Sequence, residues 1–146
     1  MKIYMDVCCL NRPFDDQNQD RIHLEAESVL SILSFVEKGK WHLLNSDAIL
    51  YEINKIPDTE RKIEVRFVIS LAKEYIRLNK KIFERAEQIQ KIGVKSFDAL
   101  HVACAEVGKA DIFLTTDDQL LKKLRQHSDK IKVKAANPLE WIEEVI

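Results

Sequence analysis

Between Asp20 and Lys38, apolar residues Ile22, Ala26, Val29, Leu30, Leu33 and Val36 recur at three- and four-residue intervals. That is the spacing of one face of an α-helix, and Gly39 follows where such a helix ends. Upstream, Lys2-Ile3-Tyr4-Met5 is a short apolar run that predicts a strand, closing at Asp6 before a turn-like stretch from Asn11 to Asp16. Trp41-His42-Leu43-Leu44 predicts a second strand. Ser46 or Asp47 then caps a short helix carrying Ile49, Ile53 and Ile56, halted by Pro57.

The alternation continues to the end of the chain. Thr59 to Lys73 reads as a helix, Tyr75 to Leu78 as a third strand, and Lys80 to Ile92 as a helix before Gly93. Ser96 to Val107 is a helix crowded with the small residues Ala99, Ala103, Cys104 and Ala105. Asp111 to Leu114 is a fourth strand, after which Thr116 and Gln119 have the spacing of a capping box for a helix through Leu120, Leu121 and Leu124. Ile131 to Lys134 is the expected fifth strand, and Pro138 opens a last amphipathic helix. Strands alternating with helices imply an α/β fold, with parallel strands joined by right-handed crossovers and helices on both faces of the sheet. No repeat or linker interrupts the pattern, so residues 1–146 are expected to form one domain.

Composition narrows this further. A chain of 146 residues, 46% hydrophobic and 32% charged, with 3 Gly and 3 Pro, is built for regular structure around one core. Its apolar runs fall far short of the roughly 20 residues that span a bilayer, and its start lacks a basic-then-apolar leader, so no membrane contact and a cytoplasmic location are expected. Three cysteines without metal-site spacing read as reduced and buried thiols. The net charge of −1 leaves nucleic-acid binding to local clusters such as Lys80-Lys81-Arg85 and Lys122-Lys123-Arg125, for which solvated helix faces are the default.

The chemistry lies in the acids. In an open parallel sheet, ligands bind in the crevice outside the carboxyl ends of the strands. Asp6 and Asp117 follow predicted strands, Asp98 sits in the first turn of its helix, and Glu52 lies on the helix after the second strand. Four carboxylates in one crevice repel unless they are protonated or neutralised by a cation. Hard oxygen donors without Cys or His in the set point to Mg²⁺ or Mn²⁺ rather than zinc. Such an ion activates water, orients a scissile phosphate and stabilises an in-line displacement, which is phosphodiester hydrolysis.

Ile3-Tyr4-Met5-Asp6, Glu52 after the Ser46-Asp47 helix start, Phe97-Asp98-Ala99-Leu100-His101 and Leu114-Thr115-Thr116-Asp117-Asp118, in that order, resemble the PIN-domain family, including its VapC-type toxins. The resemblance covers nearly the whole chain. It implies a three-layer α/β/α fold around a mainly parallel sheet of four or five strands, a metal-dependent endoribonuclease activity, a homodimer and, for a toxin, a cognate antitoxin partner. It also implies that Asp6, Glu52, Asp98 and Asp117 are catalytic and bind metal directly or through water, and that Thr115 supports the last acid by a hydrogen bond. The family often has a small polar residue two places after the first Asp. Here that place is Cys8, and Asn11 is the alternative source of the polar contact.

Each residue also has a plainer reading. Asp98 and Asp117 suit helix N-termini, the latter after a Thr116 cap, and Glu52 borders an apolar stripe where a boundary salt bridge is ordinary. Arg21 and Glu25 have the spacing of a solvated helical pair, Arg12 fits a turn surface, and His101 reads as a packing or hydrogen-bonding residue rather than a ligand. As a set, the acids also fit a non-catalytic PIN-like module that binds RNA or protein. A phosphorylated receiver is excluded because Asp6 has no acidic neighbour and the third strand ends at Leu78-Asn79. A haloacid-dehalogenase-type phosphatase is excluded because Asp6-Val7-Cys8 is not Asp-x-Asp.

Overall fold

A computed structural model describes residues 1–146. Strands β1 (Lys2–Met5), β2 (His42–Ser46), β3 (Glu74–Ile76), β4 (Ile112–Leu114) and β5 (Ala135–Ala136) form one sheet. Every pairing is parallel, in the order β3-β2-β1-β4-β5. The helices are α1 (Val7–Asn11), α2 (Asp20–Glu37), α3 (Asp47–Asn54), α4 (Thr59–Ile69), α5 (Lys80–Gln90), α6 (Ser96–Val107), α7 (Asp118–Gln126) and α8 (Pro138–Val145). Arg12–Phe14 forms a 3₁₀ turn after α1. The result is a three-layer α/β/α fold, as the alternation of elements requires. No helix is long and apolar enough to cross a membrane.

The central strands are completely sequestered: Ile3, Tyr4 and Met5 of β1 and Phe113 and Leu114 of β4 are 0% exposed. Continuous rather than alternating burial is what helices on both faces of a parallel sheet demand. Tyr4 and Phe113 stack at 5.7 Å between ring centroids, fixing β1 against β4 through their side chains as well as their ladder. From β1 the chain steps outward to β2 and β3, returns to β4 on the other side of β1, and steps on to β5. The switch in direction therefore falls between β1 and β4, the place where crossovers of a single hand open a crevice at the strands' carboxyl ends.

Several boundaries differ from those expected. The last strand is at Ala135–Ala136, paired with Phe113 and Leu114, and not at Ile131–Lys134. Ile131 and Val133 are 9% and 7% exposed, so their alternation reports side-chain burial in a connecting segment and not a ladder. Helix α1 has five residues, too few to show a helical period, and the Asp6 side chain initiates it by accepting a bond from the Val7 N–H. Helix α4 ends at Ile69, and β3 is Glu74–Ile76 rather than Tyr75–Leu78. The chain leaves the sheet there because the Leu78 N–H donates to Asp47 and Asn79 caps α5 through the Ile82 N–H. Trp41 lies just outside β2, its ring between Phe35 and Trp141.

Candidate metal centre

The β1–β4 register decides what meets at the crevice. Met5 pairs with Leu114, so Asp6 and Thr115 leave the sheet side by side. The Asp6 N–H donates to the Leu114 carbonyl at 2.9 Å. Asp6 is 6% exposed and Thr115 is 0% exposed. The Thr115 hydroxyl donates to Asp6 Oδ2 at 3.1 Å and accepts the Asp117 N–H at 3.1 Å. Thr115 thus supports the last acid by a hydrogen bond to its backbone, and it also gives its proton to the first acid.

Cys8 stands two places after Asp6, where the family often has a small polar residue. Its Sγ lies 3.5 Å from Thr115 Oγ1 and accepts the Thr116 N–H at 3.4 Å. The thiol therefore makes the local contacts expected of a small polar residue. Asn11 does not supply that contact: its amide donates to the Val7 carbonyl and its oxygen accepts from Arg61.

Asp117, not Thr116, is the N-cap of α7, with Oδ1 accepting the N–H groups of Gln119 and Leu120. The capping box of Thr116 and Gln119 is absent because the helix begins one residue later than that spacing requires. Asp98 stands in the first turn of α6, whose N-cap is Lys95. Asp98 and Asp117 line a common cavity of about 20 Å³, room for roughly one water or ion, with Lys95 and Lys123 on its rim.

Glu52 is brought to the crevice by α3, which Ser46 caps through the Ile49 N–H. Its Oε1 lies 2.9 Å from Nε2 of the fully buried His101, whose Nδ1 lies 2.7 Å from the Tyr4 hydroxyl. Tyr4 in turn lies 2.8 Å from Ser46 Oγ. A carboxylate only accepts, so the consistent assignment puts a proton on His101 Nε2 directed at Glu52; Nδ1 then accepts from Tyr4, and Tyr4 from Ser46. Burial holds the Tyr4 hydroxyl well above the usual phenol range, so it keeps the proton it donates. Oxygen and nitrogen atoms of Asp6, Glu52 and His101 all lie within 4.8 Å of one another. Both ring nitrogens are nevertheless engaged, so His101 orients Glu52, and the carboxylates are the candidate donors.

The electrostatics of the cluster fit a cation. Burial raises the Asp6 carboxyl above its ordinary range, and the Glu52 charge adds to this against the lowering influence of His101. Asp98 is pushed from 3.8 up to about 6, first by burial and then by the charges of Asp6 and Asp117, with a smaller contribution from Glu52. Its carboxylate accepts no hydrogen bond within the chain, and the opposing influence of His101 is smaller than that of burial and the neighbouring acids.

These shifts predict a pH dependence. An acid whose pKa is higher in the fold than in the unfolded chain gives stability that is complete below the unfolded value and is lost as pH rises through the folded value. Without divalent ions, thermal stability should fall between about pH 4 and pH 6 on account of Asp98. A cation at 100 times its dissociation constant adds about 2.7 kcal/mol, which for a chain of this size is about 5–10 °C. Calorimetry with EDTA, Mg²⁺ and Mn²⁺ should show a larger rise at pH 7.5 than at pH 5; equal rises at both would count against carboxylate ligation.

A family model of the PIN domain matches residues 3–125. The chain belongs to the PIN domain family. No curated protein sequence matches it, but solved structures share its fold. The structure of VapBC2 from Rickettsia felis, bound to a DNA fragment from its promoter, superposes with a TM-score of 0.61 at 15% identity, covering 94% of this chain and 98% of that one. VapBC-1 from nontypeable Haemophilus influenzae gives 0.60 at 14% identity, with the same coverage. PAE2754 from Pyrobaculum aerophilum gives 0.54 at 15% identity, covering 99% and 97%. At these identities the likeness is one of fold. In this PIN domain, the residues that carried the resemblance stand around the crevice between β1 and β4.

Two features of this PIN domain had no sequence signal. Tyr4 lies within an apolar strand run and shows no sign of reaching His101. Glu25, with the spacing of a solvated partner for Arg21, is instead 0% exposed. It accepts from Arg12 at 2.9 Å, Arg21 at 3.3 Å and Asn137 at 2.6 Å, while Arg21 also grips Asp118 beside the crevice. Arg12 is therefore bound inward, to Glu25 and Asp15, rather than lying free on a turn surface.

Proposed function

We propose that this PIN domain is a metal-dependent endoribonuclease in which Asp6, Glu52, Asp98 and Asp117 hold Mg²⁺ or Mn²⁺, directly or through water. The observation that carries the reading is Asp98: a half-buried carboxylate without a hydrogen bond in the chain, raised to about 6 beside other acids. An all-oxygen donor set suits these ions. When bound, the ion lowers the pKa of water and stabilises charge on a phosphoryl oxygen.

The chain's own groups have distinct tasks in this reading. Thr115 and the Val7 N–H fix the two oxygens of Asp6. His101 aims Glu52, and the α7 N-terminus fixes Asp117. Lys95 and Lys123 on the rim oppose the charge of an incoming phosphodiester. His101→Ala should leave Glu52 free to rotate and cost about 10–100-fold in metal affinity, the usual range for losing an outer hydrogen-bonding partner of a ligand. Titration of Mn²⁺ against folded variant and wild type checks this, and unchanged affinity would remove His101 from the site.

Incubation of the purified chain with mixed single-stranded and structured RNAs, in Mg²⁺, Mn²⁺ or EDTA, tests the activity itself. Cleavage in metal and none in EDTA is the expected result. A non-catalytic RNA- or protein-binding module is the second reading, favoured by the caps that Asp6 and Asp117 provide to α1 and α7. Metal-independent RNA binding without cleavage would select it. The toxin role, with a cognate antitoxin and a homodimer, belongs to the first reading. It is supported by the fold shared with the VapBC structures and by Ile63 and Phe67 on α4, which are 63% and 76% exposed and offer apolar surface for a protein contact. Co-expression with the neighbouring gene's product tests it.

A further inference from the structure

Tyr51 and Phe97 each stand one residue before a carboxylate of the site, Glu52 on α3 and Asp98 on α6. Although they come from different helices, their rings stack with centroids 5.6 Å apart and planes 28° from parallel. Phe97 has a structural reason to be where it is, since it packs on the core and lies edge-on to His101 at 5.2 Å. Tyr51 has none: it is 52% exposed, outside the core, and its hydroxyl makes no hydrogen bond. One turn further along α3, Lys55 holds its Nζ 4.4 Å from the centre of the Tyr51 ring.

Tyr51, Glu52, Lys55 and Phe97 line a cleft of about 280 Å³. That is below the roughly 300–1,000 Å³ of pockets that take drug-sized molecules, and it suits one planar ring system. Aromatic faces beside a lysine are the usual means of holding an unpaired base and its backbone, because every base has a π-face and every linkage a negative charge. Glu52 lines the cleft and also comes within 4.8 Å of Asp6, so an occupant of the cleft lies next to the carboxylates. The more exposed apolar side chains, Ile63 and Phe67, lie elsewhere, on α4.

We propose that Tyr51 and Phe97 form a stacking platform for one unpaired nucleobase of an RNA strand whose neighbouring phosphodiester lies at the acidic crevice, the base displacing the Lys55 ammonium from the Tyr51 ring to oppose the backbone charge. This rests on the nuclease reading for the identity of the ligand. A base held in duplex stacking cannot enter the cleft, so the platform selects single-stranded positions.

The test uses eight-nucleotide RNAs carrying the fluorescent base 2-aminopurine at successive positions, bound in Mg²⁺ to Asp98→Asn alone and combined with Tyr51→Ala or Tyr51→Trp. Cleavage of the same RNAs is measured with otherwise wild-type protein, Tyr51→Ala and Tyr51→Trp. Quenching at one position is expected in the single strand and not in its duplex. Tyr51→Ala should remove that quenching, weaken binding about tenfold and raise KM more than it lowers kcat, while Tyr51→Trp restores all three. Exposure of Tyr51 makes misfolding an inadequate explanation, and an unchanged melting temperature checks this.

If Tyr51→Ala binds and cleaves as the unaltered protein does, the platform is wrong and the nuclease reading stands. Tyr51-dependent quenching without cleavage in any metal supports the platform and overturns the nuclease reading. No RNA binding overturns the platform. So does loss of self-association in Tyr51→Ala by sedimentation velocity without quenching in the parent, which assigns the face to a second copy of the chain.

Discussion

Asp98→Asn is expected to lower metal-dependent RNA cleavage by more than about 100-fold, beyond the range for losing a mere outer partner of a ligand, while leaving the chain folded. The side chains are nearly equal in size, and Asp98 makes no hydrogen bond that an amide would forfeit. Removing its charge relieves repulsion from Asp6 and Asp117. In EDTA at neutral pH the variant should therefore melt at or above the temperature of the unaltered chain, so lost activity and retained fold appear together. Asp6→Asn should lose activity comparably but be less stable, because its oxygens serve both Val7 and Thr115. Cleavage unchanged in both variants would reject the acidic crevice as the catalytic site. Asp117→Asn keeps a capping oxygen, and its activity separates capping from ligation.

Glu25→Ala should be the most destabilising single change near the site. The substitution strands the buried amide of Asn137, leaves the Arg12 guanidinium with Asp15 alone, and opens space in the interior. Breaking a buried ion pair by removing one partner costs about 3–5 kcal/mol. Arg21 is half exposed and retains Asp118 as a partner, which softens the loss. A loss of about 2–4 kcal/mol remains, equivalent to about 5–15 °C in melting temperature for a chain of this length. Urea unfolding measures it directly, and a change below about 0.5 kcal/mol, the ordinary range for surface substitutions, would show that the network contributes little. The position matters because Glu25 joins α2 to the turn after α1 and to the start of α8. Through Arg21 it also steadies Asp118, beside Asp117.

Much of this protein was determined by local sequence. The recurrence from Ile22 to Val36 makes α2, the small-residue run after Ser96 makes α6, and the apolar runs before Asp6 and Thr115 make β1 and β4, because period and burial are properties of neighbouring residues. Three of the acids were legible for the same reason: Asp6 and Asp117 follow strands and Asp98 starts a helix, whereas Glu52 lies in the last turn of α3. Other features depended on residues far apart in the chain. The pairing of Met5 with Leu114 sets Thr115 against Asp6 across 109 positions, and no local pattern records which oxygen receives the hydroxyl proton. The alternation at Ile131 and Val133 signalled burial but not the ladder, since pairing depends on where β4 lies. Glu25 looked solvated because helical spacing reveals a neighbour one turn away, but not Arg12 and Asn137 arriving from elsewhere. Periodicity thus determined the longer helices and the central strands, but not α1 or β5. Packing alone decided which polar groups meet, because a hydrogen bond depends on separation in space and not along the chain.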